Sequence, residues 1–181
     1  MSDCDKKGQA MTNLEVVTAF FASYQNHDYT GMHSCLDPQV EFSDLAFRRI
    51  VGADVRAMWQ WFCVPTESRP KPVRIASFQI LNAEGDRVTA KYEVDYTLEG
   101  GHTVNYVIQS GFTLRNGKIV RQVDTPTVSN FKFAGMALGF PKSLLALTPF
   151  FKPIIRREMG KKLAEFQRTG SDPVGTPYRA P

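Results

Sequence analysis

Long apolar runs are missing from this 181-residue sequence, and no stretch approaches the ~18 consecutive apolar residues of a membrane-spanning helix. The first ten residues mix charges of both signs without an apolar core, which is not the pattern of a secretory signal. Cysteine is scarce. Cys4, Cys35 and Cys63 are odd in number and have no CxxC spacing, which excludes a disulfide framework and a zinc ribbon. Free thiols predict a reducing compartment, the cytoplasm. Histidine is equally sparse: His27, His33 and His102 are too scattered to predict a metal centre. The sequence has no glycine-rich phosphate loop, no Ser–His–Asp order and no nucleic-acid motif, so no cofactor and no nucleic-acid partner are expected.

Aromatic residues are what the chain has in quantity. Thirteen Phe, 6 Tyr and 2 Trp, within a composition 43% hydrophobic and 22% charged, exclude disorder for most of its length. A chain of this size buries roughly 70% of its unfolded surface and can hold one domain, with or without an extension. Its charge is unevenly placed. Residues up to Phe131 carry 13 basic and 15 acidic side chains, net −2, whereas those from Lys132 onward carry 9 and 3, net +6. The basic character therefore belongs to the C-terminal region alone.

The patterning divides the chain. Residues 1–11 read as a tail, followed by Thr12-Asn13-Leu14-Glu15 in the form of a capping box. Val16, Val17, Phe20, Phe21 and Tyr24 then share one helical face. Asp28 can cap a short helix through Leu36, ended by Asp37-Pro38. Val40–Phe42 and Phe47–Val51 read as a strand pair, and Gly52 precedes a helix with Val55, Met58, Trp59 and Phe62 on one face. From Val73 the period becomes two. Four strands are predicted, near 73–83, 88–98, 103–114 and 119–125, the last two joined by an Asn116-Gly117 turn. Helical patterns return over 131–138 and from Thr148-Pro149 to Arg168, with a short turn between them opened by Pro141. The expected organisation is a domain over 12–127, a helical extension over 128–168 and a tail over 169–181.

This order of helices and strands resembles the nuclear transport factor 2-like fold, and in particular its SnoaL-like branch of polyketide cyclases and ketosteroid isomerase relatives. The motifs that carry the resemblance are Val40-Glu41-Phe42-Ser43-Asp44, Gly52 before Met58-Trp59, and Gly117-Lys118-Ile119-Val120-Arg121-Gln122-Val123-Asp124. Met136-Ala137-Leu138-Gly139-Phe140-Pro141 and Leu147-Thr148-Pro149-Phe150 are similar to the C-terminal extension of one SnoaL-like group. The resemblance implies an α+β fold, in which a conical, curled antiparallel sheet packs on the N-terminal helices and a helical extension follows. It also implies a pocket open at one end and a homodimer formed through the outer sheet face. Val107, Gln109, Gly111 and Thr113 would lie on that outer face and carry no charge.

Alternation places Tyr92, Val94, Tyr96, Tyr106, Ile108, Ser110 and Phe112 on the inner faces of the two long strands. On the last strand the resemblance selects Val120, Gln122 and Asp124 as the inner set, against the rival set Ile119, Arg121 and Val123. Asp124 is the first candidate for catalysis, because a carboxylate facing an apolar cavity is pushed toward neutrality and suited to proton transfer. The alternative is an ion pair with Arg121 or another cation near the sheet end. Asp44 matches a second family carboxylate by register, with Phe42 as the competing alignment and a loop-stabilising turn as the alternative role. Gln122, Ser110, Tyr106, Tyr92, Tyr24, Phe20, Trp59 and Phe62 are candidate ligand contacts, with core the favoured reading for Trp59, Phe62, Phe20 and Tyr24.

Departures from the family pattern argue against a true ketosteroid isomerase. Phe20 stands where those enzymes carry a tyrosine donor and Ser110 where they carry a protonated aspartate, and such donors are worth ~10²–10³ in rate. Gln122 replaces a histidine and cannot move a proton at neutral pH. The expected function is binding of a small, mostly apolar, polyketide- or steroid-like molecule, with a cofactor-free isomerisation or cyclisation through Asp124 if the protein is an enzyme. The alternative is a non-enzymatic interaction module with a filled cavity. The basic C-terminal helix is read as packing on the sheet or across the pocket, with contact to an anionic membrane as the alternative.

Overall fold

The computed structural model describes residues 11–66, 69, 71–98, 101–138 and 142–170. The described residues form one mixed sheet and five α-helices: α1 (Asn13–Gln25), α2 (Tyr29–Cys35), α3 (Ala53–Cys63), α4 (Asn130–Leu138) and α5 (Phe151–Thr169). The strands are β1 (Leu36–Ser43), β2 (Ile50–Val51), β3 (Arg74–Glu84), β4 (Arg87–Thr97), β5 (Thr103–Arg115) and β6 (Lys118–Pro126), ordered β2-β1-β6-β5-β4-β3. A 3-10 turn over Lys142–Leu147 joins α4 to α5. The tails at 1–10 and 171–181, Cys4, Pro70, Glu99-Gly100 and Gly139-Phe140-Pro141 lie outside the described residues.

Local signals set most boundaries. The capping box at Thr12 forms: its hydroxyl accepts from the Glu15 amide at 3.3 Å, and the Glu15 carboxylate accepts from the Thr12 amide at 2.7 Å. Asp28 accepts from the Gly31 amide at 2.9 Å and opens α2. Gly52 has φ of 57°, and a Cβ there would lie 2.9 Å from the Pro38 carbonyl oxygen, so no other residue fits the entry to α3. Asn116 and Gly117, with φ of 51° and 69°, make the tight β5–β6 turn.

Three expectations need correction. The first is that β1 starts at Leu36 rather than Val40, crossing Asp37-Pro38 where its ladder to β6 is interrupted, as a residue without an amide requires. The second is that the strand expected over 47–51 shrinks to Ile50–Val51, because the backbone of Phe47 is used in a loop with Asp44. Finally, β1 runs parallel to β6, so the meander grows into a six-stranded mixed sheet. The curled α+β architecture is otherwise as anticipated.

The core lies between α1, α3 and the inner face of the sheet. Phe20 is fully buried and meets the rings of Phe21, Trp59 and Phe112 edge-on, at centroid distances of 5.6, 5.3 and 6.1 Å. Phe20 belongs to this core and is set back from the cavity wall, which corrects its assignment as a ligand contact. Helix α5 crosses the open side of the fold. Its Gln167 bonds to Asp54 of α3 at 2.8 Å, and its Arg156 donates to the Leu45 carbonyl at 3.3 Å.

Candidate functional site

A β-bulge decides which side chains of β6 face inward. Thr113 pairs with Arg121 and Leu114 with Ile119, leaving Val120 as the extra residue. Ile119, Gln122 and Asp124 are buried, whereas Val120 is only half-buried and Arg121 is exposed. The resemblance was right for Gln122 and Asp124 and wrong for Val120, because the bulge breaks the strict alternation on which both rival sets rested. Arg121 lies away from Asp124, so the ion-pair alternative finds no partner there.

Asp124 sits directly across the ladder from Ser110. The Ser110 hydroxyl donates to Asp124 Oδ1, the Tyr92 hydroxyl to Asp124 Oδ2, and the Gln122 amide to Asp124 Oδ1 at 3.0 Å. Burial pushes the carboxyl above its ordinary range, and the three donors pull it back. Gln122 Nε2 also reaches the Ser110 hydroxyl at 3.2 Å, while Gln122 Oε1 is buried with no hydrogen-bond partner. With the amide turned over, that oxygen could accept the proton of a neutral Asp124, so Gln122 can serve either protonation state. Ser110 and Gln122 thus hold the carboxylate from behind and do not line the cavity, in contrast to their assignment as ligand contacts.

The cavity is about 320 Å³ and predominantly apolar. Tyr24, Trp59, Phe62, Tyr92, Tyr106, Asp44 and Asp124 all line it, and so does Phe42, the competing alignment for Asp44. Asp44 is half-buried after β1. Its Oδ1 accepts from the Phe47 amide at 2.5 Å, so it is both a turn former and part of the cavity wall. Burial pushes its carboxyl up to about 7; the Phe47 amide opposes this and the nearby Asp124 charge adds to it. The phenols lie on the opposite limb of titration. Burial holds Tyr24, Tyr92, Tyr96 and Tyr106 above their ordinary value, Tyr96 at about 12, so at neutral pH they are neutral hydrogen-bonding groups.

Two further contributions come from outside the strands. One is Arg69, buried in a proline-rich segment, with its guanidinium 5.7 Å from the Trp61 ring centroid and 5.6 Å from that of Phe62. It donates to the carbonyls of Trp61 and Val64 and lines the cavity as a cationic wall. An arginine among prolines carries no local signal of burial. The other is the C-terminal region, whose Phe133, Ala137, Phe151, Ile155 and Met159 complete the wall. Among the described residues no three His, Cys, Asp or Glu side chains converge to hold a metal.

The sequence pattern of the SnoaL-like domain matches residues 17–122, more than half of the chain. The chain belongs to the SnoaL-like family. Solved structures of the same fold include a proposed polyketide cyclase from Pseudomonas putida KT2440, 24% identical, with a TM-score of 0.54 over 63% of this chain and 90% of that one. An LEH-like epoxide hydrolase from M. tuberculosis is 20% identical, with a TM-score of 0.52 over 75% of this chain and 93% of that one. TerC, crystallised with polyporic acid, is 24% identical, with a TM-score of 0.51 over 62% and 88%. At these identities the SnoaL-like chain shares their fold, and its chemistry must be argued from its own residues. No curated protein matches the sequence.

Proposed function

We propose that this SnoaL-like protein binds a small, mostly apolar molecule in the cavity and moves a proton on it without a cofactor, in an isomerisation or aldol-type cyclisation. The observation that carries the reading is the Asp124 carboxylate on the cavity wall, oriented by Tyr92, Ser110 and Gln122. In its ionised form Asp124 takes a proton from a carbon next to a carbonyl. Asp44, poised at about 7, returns a proton to the product atom. Arg69 supplies the positive field that an enolate oxygen needs. The cavity volume lies at the lower end of the ~300–1,000 Å³ range of ligand pockets, which favours a ligand site over a filled interaction module. Phe20 in the core and Ser110 behind Asp124 offer no oxyanion-hole donors of the steroid-isomerase kind.

A thermal-shift screen of polyketides, steroids, terpenoids and fatty acids on wild type and Asp124→Asn tests the reading. A ligand at about 100 times its Kd adds ~2.7 kcal/mol, or roughly 5–10 °C for a chain of this size. With a ligand in hand, Asp124→Asn should keep binding and lower turnover ~10²–10⁴-fold. A flat screen, or an Asp124→Asn protein with full turnover, would sink the proposal. The family resemblance also suggests pairing of two copies through the outer sheet face, where Gln109 and Gly111 of β5 are exposed and Lys91 of β4 lies across from Gln109. Gln109→Arg should then shift the mass measured by light scattering.

A further inference from the structure

Helix α5 has two faces of different chemistry. Phe151, Leu163 and Phe166 are buried, and Ile155 and Met159 line the cavity. Facing outward are Phe150, 66% exposed, and Ile154, 42% exposed, four residues apart and therefore adjacent on the helix surface. Before them, Leu147 and Leu144 in the 3-10 turn are 70% and 46% exposed, and their three-residue spacing stacks them on one side. The outward stripe of α5 then continues at helical spacing into Arg157, Lys161 and Arg168, the last two ion-paired along the helix with Glu158 and Glu165. Lys142 and Lys152 add exposed cations beside the apolar residues.

We propose that this face docks the protein on an anionic lipid surface, with Leu144, Leu147, Phe150 and Ile154 entering the headgroup layer and the cations on lipid phosphates. An apolar end grading into a basic stripe is the arrangement by which a helix lies in a membrane interface without crossing it. Among the described residues no helix is long and apolar enough to cross. A second copy of the chain fits this face poorly, because the region from Lys132 carries net +6 and would meet its own charge. Docking sets the cavity wall formed by Ile155 and Met159 just behind the lipid-facing stripe, a short path for an apolar ligand. The docking itself does not depend on the chemistry at Asp124.

Co-sedimentation of the full chain with vesicles tests it, using phosphatidylcholine alone and phosphatidylcholine mixed with phosphatidylglycerol. Wild type should pellet with the anionic vesicles at low salt, not with the neutral ones, and be released at high salt. Leu147→Glu with Phe150→Glu should abolish pelleting while the urea midpoint stays unchanged, since both side chains are exposed. Arg157→Gln with Lys161→Gln should weaken binding roughly fivefold per cation. Lys91→Gln, an exposed cation of β4, should bind as wild type. Phe150→Trp should show a blue-shifted emission on anionic vesicles only. The proposal falls if wild type stays in the supernatant, if Lys91→Gln loses as much as the α5 variants, or if the Glu pair still pellets. It also falls if the Glu pair instead dissociates an oligomer, which would make the face a copy-to-copy contact.

Discussion

Asp124 and Asp44 are the same residue on the same cavity, and burial pushes both toward the neutral form, yet the fold holds them in different ways. The donors to Asp124 are side chains from three neighbouring strands: Tyr92 of β4, Ser110 of β5 and Gln122 of β6. Asp44 is held by the amide of Phe47, three residues along its own loop. The first site exists only once the sheet has assembled, and its geometry is fixed by the ladder. The second is a local turn and can follow its loop. A carboxylate caged by side chains is therefore sensitive to substitution, whereas one held by backbone is sensitive mainly to pH.

The largest effect that would break this contrast comes from opening the cage. Tyr92→Phe with Ser110→Ala removes two donors and leaves a buried carboxylate poorly compensated, with an expected cost of about 3–5 kcal/mol in urea unfolding at alkaline pH. A loss below about 1 kcal/mol would mean that Asp124 is not held as the hydrogen bonds indicate.

Next comes the pH response of Asp44. Its folded pKa is raised from 3.8 to about 7, so its contribution to stability is complete below about pH 4 and is lost as the pH rises through about 7. Asp44→Asn removes that loss. Between about pH 4 and pH 8 the variant should gain on wild type by an amount on the order of 2 kcal/mol, after allowing for partial solvent screening. Parallel pH-dependent curves for the two proteins would show that Asp44 titrates in its ordinary range.

The smallest effect is expected at Gln122. Gln122→Leu deletes a donor to Asp124 together with the buried, unpartnered Oε1, and the two changes oppose each other. Its stability should stay within about 1 kcal/mol of wild type. A loss of several kcal/mol would assign Gln122 a larger role in the cage than its geometry suggests.

Much of this contrast was visible in the sequence, and its limits have physical causes. Asp44 could be placed in a loop after a short strand because turn chemistry is local. Asp124 could be placed on the last strand, but the inner set there was undecided, since a single bulge residue at Val120 shifts the alternation and leaves no compositional mark. Ser110 and Gln122 were read as ligand contacts because alternation reports only which face a residue occupies. It does not report how deep on that face the residue lies, and these two sit behind the carboxylate they hold. Arg69 was missed altogether, because burial of a cation among prolines depends on the Trp61 and Phe62 rings it lies over.

By itself the sequence determined the elements whose causes are short-range: the Thr12 capping box, the Asp28 cap, the glycine entry to α3, the Asn116-Gly117 turn and the alternating strands. Each depends on residues a few positions apart, so a linear reading contains the whole cause. The tertiary structure alone decided the parallel β1–β6 pairing, the inner face of β6 and the cage around Asp124. Those features join residues far apart in the chain. Their energies come from burial and hydrogen bonds that do not exist until the sheet has curled around the helices.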